Sequence, residues 1–228
     1  MTAPDVVKGL DLEALRTWLD AEAPGELPGA LSASLITGGK SNLTYAVTNG
    51  ERDVIVRRPP LGHVLATAHD MGREHRVMAA LAGTSVPVPR MIAECTDESV
   101  IGATFYVMER MSGTAFQRAS DLEVIGAERT RAVTERLVDT LADLHAVDYQ
   151  AVGLGDFGRP DGYLTRQVAR WKKQLDSSRS REIDGIDELA DRLTASVPET
   201  GESTIVHGDY RLDNVLVDTE DGDRITTV

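Results

Sequence analysis

A chain of 228 residues, 41% hydrophobic and 27% charged, is long enough to bury a core and too ordinary in composition for a disordered, collagen-like or coiled-coil protein. A formal net charge of −13 argues against a nucleic-acid partner, whose phosphates need a basic face. The apolar runs are strand-sized rather than membrane-spanning, MTAPDVVKGL lacks a basic-then-apolar leader, and the lone Cys95 leaves no internal disulfide, so a cytoplasmic protein of one or two lobes is expected, with Cys95 a small buried side chain.

In chain order, Leu12, Leu15, Trp18 and Leu19 recur at helical spacing and predict a leading amphipathic helix, ended by Pro24-Gly25 and Pro28-Gly29. LSASLI (31–36), LTYAVT (43–48) and DVIVR (53–57) predict an antiparallel meander, with Asn49-Gly50 as a hairpin signal. Residues 67–82 carry Met71, Val77, Met78 and Leu81 on a helical stripe, and MIAEC (91–95) and TFYVMERM (104–111) return to strand character. From there the pattern is helical, over 121–146, 162–175 and IDELADRL (186–193). The fold class expected is α+β, with a β-rich lobe at 1–108 and a helical lobe at 109–228.

The chemistry concentrates in STIVHGDYRLDNVLV (203–217). Asp209 and Asn214 stand five apart, the spacing in H-R-D-x-x-x-x-N, where the aspartate takes the proton of the accepting hydroxyl and the asparagine holds a magnesium ion. Phosphoryl transfer needs one carboxylate aimed at the nucleophile and oxygen ligands around a metal, and Arg211 offers a fork for phosphate oxygens. A polar turn with Asp213 or Asn214 capping backbone amides is the plainer alternative. The preceding His207-Gly208 and the flanking IV and VLV segments, expected as strands, favour the catalytic reading.

With GGKSNLTYAV (38–47), VIVRRPP (54–60), REHRVMAAL (73–81), VPVP (86–89), FYVMERMSG (105–113), LADLHAVDYQAVGLGDFGRP (141–160), RQVARWKKQ (166–174) and HGDYRLDNVLV (207–217), the sequence resembles the aminoglycoside phosphotransferase family, and more closely the kinase-like domains associated with acyl-CoA dehydrogenases. The resemblance implies a bilobal protein-kinase-like fold that uses ATP and magnesium. It implies Asp209 as catalytic base and Asn214 as metal ligand. Gly38, Gly39, Lys40, Ser41 and Asn42 correspond to the loop over the nucleotide phosphates. Arg57 takes the place of the strand lysine that contacts the α- and β-phosphates, Glu74 that of its helix partner, and Glu109 to Met111 that of the hinge that receives adenine. A surface ion pair is the plainer account of Arg57 and Glu74.

Three tempting signals fail. "GDFG" at 155–158 precedes the loop that the kinase magnesium motif must follow, so a turn is expected there. Gly39-Lys40-Ser41 ends like a Walker A loop, but position 34 is serine and a strand follows. His63, His69 and His75 are spaced by six, which puts them on different helix faces and predicts no zinc site. Trp171, on a stripe with Leu164, Val168 and Leu175, is expected in the core.

A second aspartate, in a segment like V-L-D-W-E, follows the hairpin strand in the resembled family. Here the sequence ends 14 residues after Asn214, so a chain cut short before that ligand is expected. Two function classes result: an ATP- and magnesium-dependent kinase of a small-molecule hydroxyl, or a nucleotide-binding module without turnover. For the acceptor, Tyr163, Arg166, Arg170, Lys172 and Lys173 suggest an anion such as a hydroxyacyl-CoA, with an aminoglycoside as the alternative.

Overall fold

The computed structural model describes residues 7–36, 42–62, 70–199, 201–220 and 222–228. It divides into two compact units, Met1–His145 with His207–Val228, and Ala146–Val206. The lobe boundary expected at 108/109 falls inside the first unit.

The first unit is built on a five-stranded antiparallel sheet in the order β1-β2-β3-β5-β4, from β1 (Ser32–Leu35), β2 (Leu43–Thr48), β3 (Asp53–Arg58), β4 (Met91–Cys95) and β5 (Phe105–Glu109). Asn49 sets the β2–β3 turn: its side-chain oxygen accepts from the amides of Glu51 and Arg52. Alternation along the strands then sorts the two faces. Tyr45, Val47, Val54, Val56, Phe105 and Val107 bury one face, with Cys95 also buried there, against Leu15 and Leu19 of α1 (Leu12–Glu22), and Trp18 meets Phe105 edge-on at 4.8 Å. Asp11 caps α1 by accepting from the amides of Glu13 and Ala14 at 3.0 Å.

The consecutive arginines at the end of β3 point to opposite faces. Arg58 is buried with the core and ties its guanidinium to backbone carbonyls, Nη1 donating to Gly9 at 2.6 Å and Ile101 at 2.9 Å, and Nε to Pro59 at 3.2 Å. Arg57 lies on the other face, paired in register with Tyr106 of β5. That face is where α2 (Met71–Leu81), capped by Asp70, packs on β4 and β5.

The helix expected over 121–146 forms as α3 (Ala119–Ala146), but it breaks at Gly126, whose φ of 79° and ψ of 168° are not helical. Only glycine adopts that conformation cheaply, and Thr130 closes the break by donating to the Gly126 carbonyl at 2.8 Å. Beyond the break, Val133 packs with Phe116, Val215, Val217 and Ile225, which joins α3 to the hairpin of β6 (Leu216–Asp218) and β7 (Arg224–Thr227). Arg129 secures that hairpin's turn, Nε donating to Asp223 at 2.9 Å and Nη2 to the Thr219 carbonyl at 2.6 Å.

The second unit carries α4 (Tyr163–Ser178) and α5 (Ile186–Ala195). The segment 155–158 is a turn, with Phe157 N–H bonded to the Leu154 carbonyl. Two expectations are corrected. Trp171 is 60% exposed, because α4 buries none of its residues fully and the stripe with Leu164 turns only partly inward. The IV segment before His207 is not a strand: no described strand runs beside 203–206, and Val206 is 61% exposed. Among the described residues no helix is long and apolar enough to cross a membrane.

Candidate active site

Two clusters of charged side chains stand out in the first unit. In the first, Glu74 projects from α2 toward the sheet face that carries Arg57. Both of its oxygens are engaged: Oε1 accepts from Asn42 Nδ2 at 2.9 Å and Oε2 from the Tyr106 hydroxyl at 2.9 Å. Arg57 Nε, itself out of contact with solvent, lies 3.3 Å from Oε2, in ion-pair range but without the alignment of a hydrogen bond. Tyr106 is fully buried. Burial pushes its ionisation above the ordinary phenol range, Arg57 opposing and Glu74 reinforcing the shift, so the hydroxyl remains a donor. Next along α2, His75 pairs with Glu94 at 3.3 Å.

Of the loop matched to the nucleotide phosphates, Gly38, Gly39, Lys40 and Ser41 lie outside the described residues, as do His63 and His69. Asn42 is inside them and nearly buried, with its amide turned to Glu74. Glu109 ends β5 and donates its N–H to the Arg90 carbonyl at 2.9 Å, and Met111 follows, half-buried. Gly113 then passes against the β6–β7 hairpin. A Cβ there would stand 2.9 Å from Leu216 Cβ and 3.2 Å from the Val217 nitrogen, and φ is +143°. Glycine at this position lets Thr114 pair with Val217 through two backbone bonds of 2.8 and 3.0 Å.

In the second cluster, Asn214 Nδ2 donates to both the backbone carbonyl of Asp209 (2.9 Å) and its carboxylate Oδ2 (2.8 Å), which closes the loop on itself. A short 3-10 turn, Leu212–Asn214, brings these two residues together. Asp209 N–H donates to His207 Nδ1 at 3.3 Å, and burial lowers the pKa of His207 while Asp209 pulls the other way. Tyr210 anchors the loop, its hydroxyl donating to the Leu137 carbonyl on α3 at 2.8 Å and its ring meeting His207 at 5.4 Å. Arg211 spans Asp213 with Nε at 2.8 Å and Nη2 on the other oxygen, and stands 3.7 Å from Asp209 Oδ1. Its fork is thus occupied by a carboxylate.

The cations of α4 do not act as one set. Arg166 is bonded to the carbonyls of Asp161 and Arg159, and Lys172 lies 3.8 Å from both Asp176 and Asp187. Arg170 and Lys173 are exposed. Tyr106 and Arg129 escaped sequence reasoning, since their partners, Glu74 and Asp223, lie 32 and 94 residues away and only strand register or hairpin packing shows the pairing. Among the described residues no group of three or more His, Cys, Asp or Glu side chains is arranged to hold a metal ion.

Comparison with known proteins assigns the chain to a family. Residues 32–228 match the profile of the phosphotransferase enzyme family, APH. The acyl-CoA dehydrogenase family member 11 of Gallus gallus is 39% identical over 194 residues, 85% of this chain but 25% of that protein, so the chain spans about a quarter of the length of this relative. A solved structure from Ralstonia eutropha, provisionally assigned as an aminoglycoside phosphotransferase, is 38% identical with a TM-score of 0.81, over 96% of this chain and 63% of that one. An aminoglycoside phosphotransferase solved with streptomycin and ATP aligns at a TM-score of 0.63 over 96% of this chain and 69% of that one. At 16% identity, the likeness to it shows the fold, the kinase-like α+β class expected from the sequence. The chain belongs to the phosphotransferase enzyme family.

Proposed function

We propose that the protein is an ATP- and magnesium-dependent phosphotransferase that moves the γ-phosphoryl group to a hydroxyl of a small molecule. The observation that carries this reading is the double hydrogen bond from Asn214 to Asp209, which fixes a carboxylate beside a side-chain amide oxygen in one tight turn. Asp209 accepts the proton of the acceptor hydroxyl through Oδ1, the oxygen that Asn214 leaves unengaged. The acceptor oxygen bonds to the γ-phosphorus, the bond to the β-phosphate oxygen breaks, and ADP departs. Most of the catalysis is positioning and charge stabilisation, as this chemistry requires.

The donor set fits magnesium, a hard cation that takes oxygen ligands and keeps several waters: Asn214 would hold it through its side-chain oxygen together with phosphate oxygens. Bound there, it would supply neutralisation of the phosphate charge. Arg57, steadied by Glu74, contacts the phosphates from the sheet side, and adenine lies against the backbone of Glu109 to Met111. Arg211 exchanges Asp213 for phosphate oxygens when nucleotide binds.

For the acceptor, a hydroxyacyl-CoA is the finer reading. It is supported by the relatives' naming as acyl-CoA dehydrogenase family members. The test is a panel assay following the γ-phosphate of ATP with magnesium, offering kanamycin-type amines, ethanolamine and 4-hydroxyacyl-CoA in parallel. Phosphorylation of the acyl-CoA supports the finer reading. Preference for an amine keeps the kinase and replaces the acceptor, and nucleotide binding without transfer to any hydroxyl leaves a module without turnover.

A further inference from the structure

We propose that Tyr106 is a positioning residue for the nucleotide: by occupying Glu74 Oε2, its hydroxyl keeps Arg57 from a two-pronged pairing with Glu74 and so leaves the terminal nitrogens of Arg57 for phosphate. The inference rests on the reading that Arg57 meets the phosphates.

A guanidinium and a carboxylate left to themselves settle into two parallel N–H···O bonds, which use two of the arginine's nitrogens on one partner. That arrangement is absent here. Asn42 holds Oε1, Tyr106 holds Oε2, and Arg57 approaches by Nε at 3.3 Å without the alignment of a hydrogen bond. The three residues come from separate parts of the sheet: Asn42 just before β2, Arg57 in β3 and Tyr106 directly across from Arg57 in β5. Glu74 is therefore held by neutral donors, and its charge steers Arg57 without capturing it. A lysine in place of Arg57 has a single ammonium and no fork to lose, so a competing hydroxyl matters to an arginine in particular. Removing the hydroxyl leaves Oε2 to Arg57 alone, and the guanidinium then turns to make full hydrogen bonds to that oxygen, which draws a terminal nitrogen away from the ligand.

The experiment is calorimetric titration of the 228-residue chain with magnesium ATP and, separately, adenosine. Tyr106→Phe is expected to weaken ATP about tenfold, the loss of roughly one charge-assisted hydrogen bond, and to leave adenosine within about twofold. In an Arg57→Lys background the same Tyr106→Phe change is expected to alter ATP affinity less than about twofold. A residue that merely fills the core would weaken ATP and adenosine alike, and equally in both backgrounds; that result overturns the proposal. Arg57→Ala separates the two levels of the account. If it leaves ATP affinity unchanged, the phosphate role of Arg57 fails; if it weakens ATP while Tyr106→Phe does not, the positioning role alone fails.

Discussion

Glu74 and Asp209 are held in place in opposite ways. The partners of Glu74 come from separate parts of the sheet region, both of its hydrogen bonds span 32 residues, and one of them leads to a fully buried tyrosine. The partners of Asp209 lie two to five residues away, and the loop is tied to the rest of the unit by Tyr210 and by the packing of Val215 on α3. The sheet side therefore inherits its geometry from the whole fold, while the loop side carries its geometry in a short stretch of sequence. A site that must hold a bulky nucleotide still and let an acceptor reach a carboxylate gains from that division.

The sharpest way to break the comparison is at Asp209. Asp209→Asn keeps the size of the side chain and removes the base, and is expected to lower phosphoryl transfer roughly 100- to 10,000-fold. Turnover within a few-fold of the unaltered protein, measured by release of labelled phosphate product, contradicts the role given to the loop.

Next comes the fold on which the sheet side depends. Phe105→Ala empties a fully buried position against Trp18 and is expected to cost about 3–5 kcal/mol in urea denaturation. Asp213→Ala, which breaks an exposed pair with Arg211, is expected to leave the melting temperature nearly unchanged. Equal losses from the two substitutions would erase the contrast between the regions.

A smaller effect is expected at the loop's anchor. Tyr210→Phe removes the bond to the Leu137 carbonyl and is expected to cost about 1 kcal/mol, with faster hydrogen exchange over 207–214 than over β3 and β5.

The smallest is a pH dependence. Burial holds the pKa of His207 below its ordinary 6.5, so in that window the unfolded chain binds more protons than the folded one. Stability from this group is complete above pH 6.5 and is lost as pH falls through the folded value. Melting temperatures at pH 7.5 and 5.5 are expected to differ more for the unaltered protein than for His207→Gln.

The regular elements were legible because their signals are local. The alternation in 43–48 and 53–57 marks β2 and β3, and the Asn49-Gly50 turn joins them. The loop at 207–214 was legible for the same reason, since its hydrogen bonds close within the motif itself. What stayed hidden depends on distant partners. The segment 203–206 has the composition of a strand and no ladder to join, Trp171 sits on a helical stripe that packs only partly, and Gly126 breaks a helix whose periodicity continues on both sides. Tyr106 reads as one more aromatic in a strand until the register sets it across from Arg57 and beneath Glu74.

The central claim is that the nucleotide is held from the sheet side while the loop acts on the acceptor. The most direct measurement is the affinity for magnesium ATP of the unaltered chain, Arg57→Ala and Asp209→Asn, titrated under one set of conditions. The account predicts a loss of about tenfold or more for Arg57→Ala and a change within about twofold for Asp209→Asn. Equal affinities for all three, or a loss confined to Asp209→Asn, would contradict it.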